Sequence, residues 1–186
     1  MKILLIAGHG NIGASVANKA IIERLAQEFP DMAIRKLSEI APDGNFDIAA
    51  EQSALAAADL ITWQFPFNWY AMPWLMKKWL DEVFVFGFAY GTGAKLGGKK
   101  LLVSITTGAP ESAYTGDANA AGDIRAFISL HQGTAKTCGL DWQGALWVNG
   151  IGFAASGDEA AIARQREKAI AHANRLIARI REIKAV

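Results

Sequence analysis

Three short segments hold residue types that can act together on one ligand. Gly8-His9-Gly10-Asn11-Ile12-Gly13 follows an apolar run and leads to Ser15, Val16 and Asn18. A glycine-rich turn opening into a helix at Ser15 leaves backbone N–H groups and the positive end of the helix dipole facing outward. That arrangement favours a phosphate. Ser15, Asn18 and His9 can add side-chain donors. The plainer reading makes Ser15 only a helix cap and Asn18 a surface polar residue.

The second segment is Pro66-Phe67-Asn68-Trp69-Tyr70-Ala71-Met72-Pro73. Prolines at both ends stiffen it, so main-chain groups can be presented at little entropic cost. Phe67, Trp69 and Tyr70 offer a flat apolar wall, and a planar ring with polar edges needs both features. The third is Thr106-Thr107-Gly108-Ala109-Pro110, followed by Tyr114. Small residues permit close backbone approach, and the hydroxyls donate or accept. The alternatives are that Trp69 and Tyr70 pack into the core and that residues 106–110 form an ordinary turn.

The first segment is also a literal G-x-G-x-x-G, as in dinucleotide-binding domains. That fingerprint needs an acidic residue about twenty positions further on, ending the second strand. Asp31 falls at the start of that strand and Glu39 past its end, so the pattern is discounted while its phosphate-binding physics is kept.

The elements that must position these segments alternate. Lys2 to Ala7 reads as a strand buried on both faces. A helical pattern runs from Ser15 to Pro30, and Met32 to Leu37 alternates like a shorter strand. Asp47 can cap a helix reaching Ala58. Leu60 to Phe65 is a third strand, followed by a helix from Pro73 to Phe84, with proline suited to the first turn. Lys100 to Thr106, a helix over Ile124 to Cys138, a strand over Trp142 to Val148 and a helix from Asp158 to Ile183 complete the order. The last helix carries an apolar stripe of Ala161, Ile162, Ala169, Ala173, Leu176 and Ile180. Five such units predict an α/β parallel sheet covered on both faces. In such a sheet the loops after strands one, three and four converge at the carboxyl edge, where ligands bind.

At 186 residues, one domain over residues 1–186 is expected. With 19 Lys+Arg against 18 Asp+Glu, no electrostatic footprint for nucleic acid is present. The opening apolar run is too short for a signal-peptide core, and Pro66, Asn68, Pro73 and two lysines break the greasiest stretch, Ile61 to Leu80. A cytoplasmic protein without membrane insertion is expected. The single cysteine, Cys138, reads as a small buried hydrophobe, His131 as structural and His172 as solvent-facing. No His, Cys, Asp or Glu cluster has metal-ligand spacing, so no metal is expected.

Phe65 through Pro73, continuing by Lys77, Trp79 and Val83 to Gly87-Phe88-Ala89-Tyr90-Gly91, resembles the flavodoxin-like NAD(P)H:quinone oxidoreductases, both the DT-diaphorase type and its shorter bacterial relatives. Those relatives include ancillary subunits of potassium efflux systems. Ser104-Ile105-Thr106-Thr107-Gly108 and Cys138-Gly139 add to the likeness. The resemblance implies a sheet in the order 2-1-3-4-5 and a homodimer with its active site at the subunit interface. It also implies a bound flavin and a ping-pong cycle from NAD(P)H to a quinone-like acceptor. By it, His9, Ser15, Val16 and Asn18 match the flavin phosphate loop, Pro66 through Tyr70 the ring cradle, and Thr106, Thr107, Gly108 and Tyr114 the opposite edge. Tyr90 matches an aromatic facing the other subunit's substrate pocket, to which Trp69 also belongs.

The chain departs from the pattern at Ala121, where the DT-diaphorase type carries a histidine, and at Gly10, where relatives often carry proline. Tyr114 is then the candidate catalytic group, and backbone N–H groups around Thr107 and Gly108 are candidates for stabilising charge on the reduced ring. The short chain favours FMN over FAD. The competing readings are a regulatory flavoprotein with little turnover, an azo or nitro reductase on the same scaffold, and a Rossmann dehydrogenase.

Overall fold

Strands form where apolar runs can be buried on both faces. The computed structural model describes residues 1–152 and 158–185. β1 (Ile3–Ala7), β3 (Leu60–Pro66) and β4 (Lys100–Thr106) are its central strands, flanked by β2 (Ala33–Lys36) and β5 (Asp141–Val148). All four neighbouring pairs are parallel, in the order β2-β1-β3-β4-β5. This is the flavodoxin-like arrangement that the resemblance implied. The second strand stops short of the expected Leu37 because that residue begins a one-turn helix, α2 (Leu37–Ile40), which the alternating pattern concealed.

The longer helices are α1 (Val16–Glu28), α3 (Ile48–Ala57), α4 (Trp74–Val83), α5 (Ile124–Thr137) and α6 (Glu159–Ala185). The Asp47 carboxylate accepts from the Ala50 N–H at 3.0 Å, forming the expected cap of α3. Side-chain alternation along the strands splits the core into two layers. Leu4, Ile6, Ile61, Trp63, Phe65, Val103 and Ile105 pack with α2 to α5, whereas Ile3, Leu5, Leu60 and Leu102 pack under α1 and α6.

On α6 the apolar stripe is fully buried at Ala169, Ala173, Leu176 and Ile180, while Ala161 and Ile162 are half-buried. His172 lies on the same buried face. Its expected solvent exposure is wrong, for it is 1% exposed beneath the sheet. The polar residues Thr62, Gln64, Ser104 and Thr106 point to that face too, all of them buried. Their register puts Gln64 beside Ser104 and Pro66 beside Thr106.

Candidate functional site

The first loop is held open by packing and by its own hydrogen bonds. A Cβ placed on Gly8 would lie 2.3 Å from the Met76 sulfur and 2.9 Å from its Cβ, so the close approach of α4 demands this glycine. Gly10 has nothing within 4 Å of such an atom. The glycine pattern is thus only partly steric, and its first member serves helix packing. A single 3-10 turn, Ile12–Ala14, precedes Ser15, whose Oγ caps α1 by accepting the Asn18 N–H at 3.1 Å. The Val16 and Ala17 N–H groups have no acceptor among the described residues, as expected at a helix start. His9 Nδ1 accepts the Asn11 N–H at 3.0 Å. Burial holds its pKa below the ordinary histidine value, so the ring is neutral and its Nε2–H is a donor. Asn18, far from being a surface residue, is 4% exposed.

The loop after β3 is a two-residue hairpin. Asn68 and Ala71 exchange both main-chain hydrogen bonds at 3.0 Å, and Trp69 and Tyr70 between them take φ values of 48° and 65°. Such turns favour Asn-Gly, since both central residues occupy the left-handed region. Here two aromatics hold it instead, and their N–H groups have no acceptor among the described residues. Trp69 is 93% exposed, so it does not join the core. Tyr70 stacks on Phe127 at 5.5 Å, and Phe67 is buried between Tyr70, Tyr114 and Phe127.

In the third loop, Thr107 departs from expectation. Its N–H bonds to the Val148 carbonyl at 2.9 Å, continuing the β4–β5 ladder, and its hydroxyl lies against Ala109 O and Asn149 Oδ1. It therefore cannot supply a free main-chain donor. Among the described residues only Gly108 of that pair keeps its N–H. Tyr114 is 9% exposed, and burial, opposed by Thr107, raises its phenol pKa.

A cavity of about 390 Å³ unites the three loops. Nine expected residues line it: His9, Ser15, Val16, Asn18, Pro66, Phe67, Asn68, Thr106 and Gly108. Trp69, Tyr70, Thr107, Tyr114 and Tyr90 do not. Tyr90 sits apart on the surface, edge-on to exposed Phe86 at 5.9 Å. The sequence reading missed Ile151, Gly152 and Gln165, which close the cavity from the β5 side, Gln165 donating to Gly152 O at 2.7 Å. The signal was available, because the loop after β5 belongs to the same carboxyl edge. His131 is buried, with its ring 5.4 Å from Phe65, and Cys138 is buried with its thiol pKa raised. Among the described residues no group of three His, Cys, Asp or Glu is placed to hold a metal, and no helix is long and apolar enough to cross a membrane.

This sheet order and ligand edge define a flavodoxin-like protein. A family model described as the flavodoxin-like fold matches residues 1–173, and the chain belongs to that family. General stress protein 14 of Treponema denticola, solved with FMN, is 30% identical over 96% of this chain and 99% of its own, with a TM-score of 0.82. A thermophilic tryptophan halogenase from Streptomycin violaceusniger is 32% identical over 91% of this chain and 97% of its own, at 0.77. An NADPH-quinone reductase from P. pentosaceus shares the fold at 24% identity, over 91% of this chain and 98% of its own, with a TM-score of 0.70. Names so different on one fold mean that activity must be argued from the site.

Proposed function

We propose that the chain is a flavin-dependent oxidoreductase binding FMN, with FAD as the alternative, and passing reducing equivalents from NAD(P)H to a quinone-like acceptor in a ping-pong cycle. The observation that carries this reading is the cavity itself, where a capped helix start, a strained aromatic hairpin and a glycine edge meet. The donors suit the group: Val16 and Ala17 N–H, the Ser15 hydroxyl and neutral His9 Nε2–H would hold the phosphate. Asn68 and Phe67 would flank the ring, with Gly108 N–H at its carbonyl edge. Bound flavin supplies acceptance and donation of a hydride.

The protein's share is orientation and electrostatics. Gly108 N–H, fixed in direction by the ladder that ends at Thr107, would stabilise negative charge at the ring edge without reorganising. The Tyr114 phenol remains protonated through the neutral range and would donate there. Exposed Trp69, Phe86 and Tyr90 would be covered in a homodimer, with Tyr90 completing the partner's substrate pocket. The support is that all three are exposed large aromatics, with Phe86 and Tyr90 edge-on to one another. Ala121, with no side chain to handle protons, favours a second reading: a regulatory flavoprotein with little turnover.

The purified protein should be yellow and release FMN on denaturation, and it should oxidise NADPH faster when a simple benzoquinone is added. A colourless protein that takes up neither FMN nor FAD overturns the proposal. A yellow protein with no quinone-stimulated oxidation leaves the regulatory reading.

A further inference from the structure

A file of buried side chains runs from α6 through the sheet to the first loop. His172 Nε2 lies 2.9 Å from Ser104 Oγ, and Ser104 Oγ donates to Gln64 Oε1 at 2.5 Å. Gln64 Nε2 donates to Asn18 Oδ1 at 2.8 Å, and Asn18 Nδ2 donates to Ser15 Oγ at 3.2 Å and Thr106 Oγ1 at 3.1 Å. His172, Ser104, Gln64, Asn18 and Thr106 are each at most 4% exposed. The sequence reading gave none of His172, Ser104 and Gln64 a role in the site.

Such a chain can run in two directions, and His172 decides between them. Ser104 has one proton. If Gln64 takes it, Ser104 must accept from His172, which places the imidazole proton on Nε2 and leaves Nδ1 a bare lone pair. With both amides turned over, Ser104 would donate to Nε2 and the imidazole proton would sit on Nδ1. Nδ1 is buried with no partner among the described residues. A buried donor left unsatisfied costs more than an idle acceptor, so the first direction is favoured. Burial, with the Arg175 charge adding to it, lowers the His172 pKa to about 3, so the ring stays neutral.

The direction matters at the far end. In the favoured sense Ser15 Oγ accepts from both the Asn18 N–H and the Asn18 Nδ2, and Thr106 Oγ1 accepts from Asn18 Nδ2. Both hydroxyl protons are then left for a ligand in the cavity that Ser15 and Thr106 line. In the reverse sense Asn18 Oδ1 would consume both protons. We propose that His172 is a positioning residue that sets the direction of this chain, so that the Ser15 and Thr106 hydroxyls donate to the phosphate of FMN. This rests on the proposed FMN site and adds the device that makes it selective for an anion.

Two measurements test it. Long-range ¹⁵N–¹H correlation on the ligand-free protein should show His172 protonated at Nε2 and unprotonated at Nδ1; a proton on Nδ1 overturns the proposal. Secondly, FMN and riboflavin affinities are compared, since riboflavin differs only in lacking the phosphate. His172→Leu and Ser104→Ala should each lower the FMN-over-riboflavin preference by about tenfold. His172→Gln, whose amide can donate where Nε2–H does, should restore most of it. A general loss of packing would weaken both flavins alike and leave the ratio unchanged, which counts against the proposal. If the wild-type protein itself shows no preference for FMN, the phosphate is not held at Ser15, and the cofactor reading falls with this one. If the wild type prefers FMN and all three variants keep that preference, only the role of His172 is lost.

Discussion

Trp69 and Tyr70 sit side by side in the left-handed region, at φ 48° and 65°, closed in by the paired main chains of Asn68 and Ala71. Each such non-glycine residue costs roughly 1–3 kcal/mol, and strain of this kind persists where function selects it. Trp69 is almost fully exposed and gives little packing in return. Trp69→Asn should therefore raise Tm by about 2–4 °C, the equivalent of ~1 kcal/mol in a chain this size. On the proposed function, in which Trp69 would wall the nicotinamide, NAD(P)H oxidation should fall about tenfold. A raised Tm with unchanged turnover would show that the hairpin's strain serves nothing at the site, and a lowered Tm would show that no strain is stored there.

Tyr114 packs edge-on to Phe67 at 5.9 Å, just behind the cavity wall. Burial raises its phenol pKa above the ordinary value, so it stays a donor across the usable pH range. Tyr114→Phe should slow flavin reduction about tenfold, the scale of one charge-assisted hydrogen bond, with flavin affinity little changed. Stopped-flow bleaching of the flavin under single-turnover conditions measures this. An unaltered rate would reduce Tyr114 to a packing residue.

The architecture was legible because apolar runs such as Ile3–Ala7 and Leu101–Val103 are buried on both faces, which only a covered parallel sheet allows. The loops at the carboxyl edge followed from strand order. Which N–H groups remain free was not legible. Thr107 loses its donor to Val148 across β5, whereas Trp69 and Tyr70 keep theirs because a hairpin closes beneath them. Those outcomes depend on pairing between distant segments. His172 was misplaced for a related reason: a histidine among charged helix neighbours reads as exposed until Ser104, 68 residues away in sequence, is seen to meet it. The polar period at Thr62, Gln64, Ser104 and Thr106 was the available clue, a file of groups that needed partners on one face.

Gly8 carries a packing prediction independent of any ligand. The Met76 Cβ and Cγ, both 2.9 Å from an added methyl, are too near their own backbone to swing clear. Gly8→Ala should destabilise by about 2 kcal/mol, as overpacking does. Met76→Ala alone also destabilises, by roughly 2–5 kcal/mol, because Met76 is fully buried. Combined, the two should cost at least about 1 kcal/mol less than their sum, since each relieves the other. Urea titration of the four proteins measures the coupling, and strict additivity would refute the contact.

His172 also fixes how stability responds to acid. Its folded pKa is about 3 against an ordinary 6.5, from burial first and Arg175 second. Above pH 6.5 neither folded nor unfolded chain protonates it, and the full stability is present. As pH falls below 6.5 the unfolded chain takes up a proton that the folded one refuses, so stability drops by about 1.4 kcal/mol per pH unit until near pH 3. His131 and His9, with pKa values also lowered by burial, act in the same direction. Denaturation midpoints measured from pH 7 to pH 4 should fall steadily in the wild type and less steeply in His172→Gln, which has nothing to titrate there. Equal slopes in the two proteins would mean that His172 is protonated in the folded state, and the neutral, Nε2-donating imidazole would have to be given up.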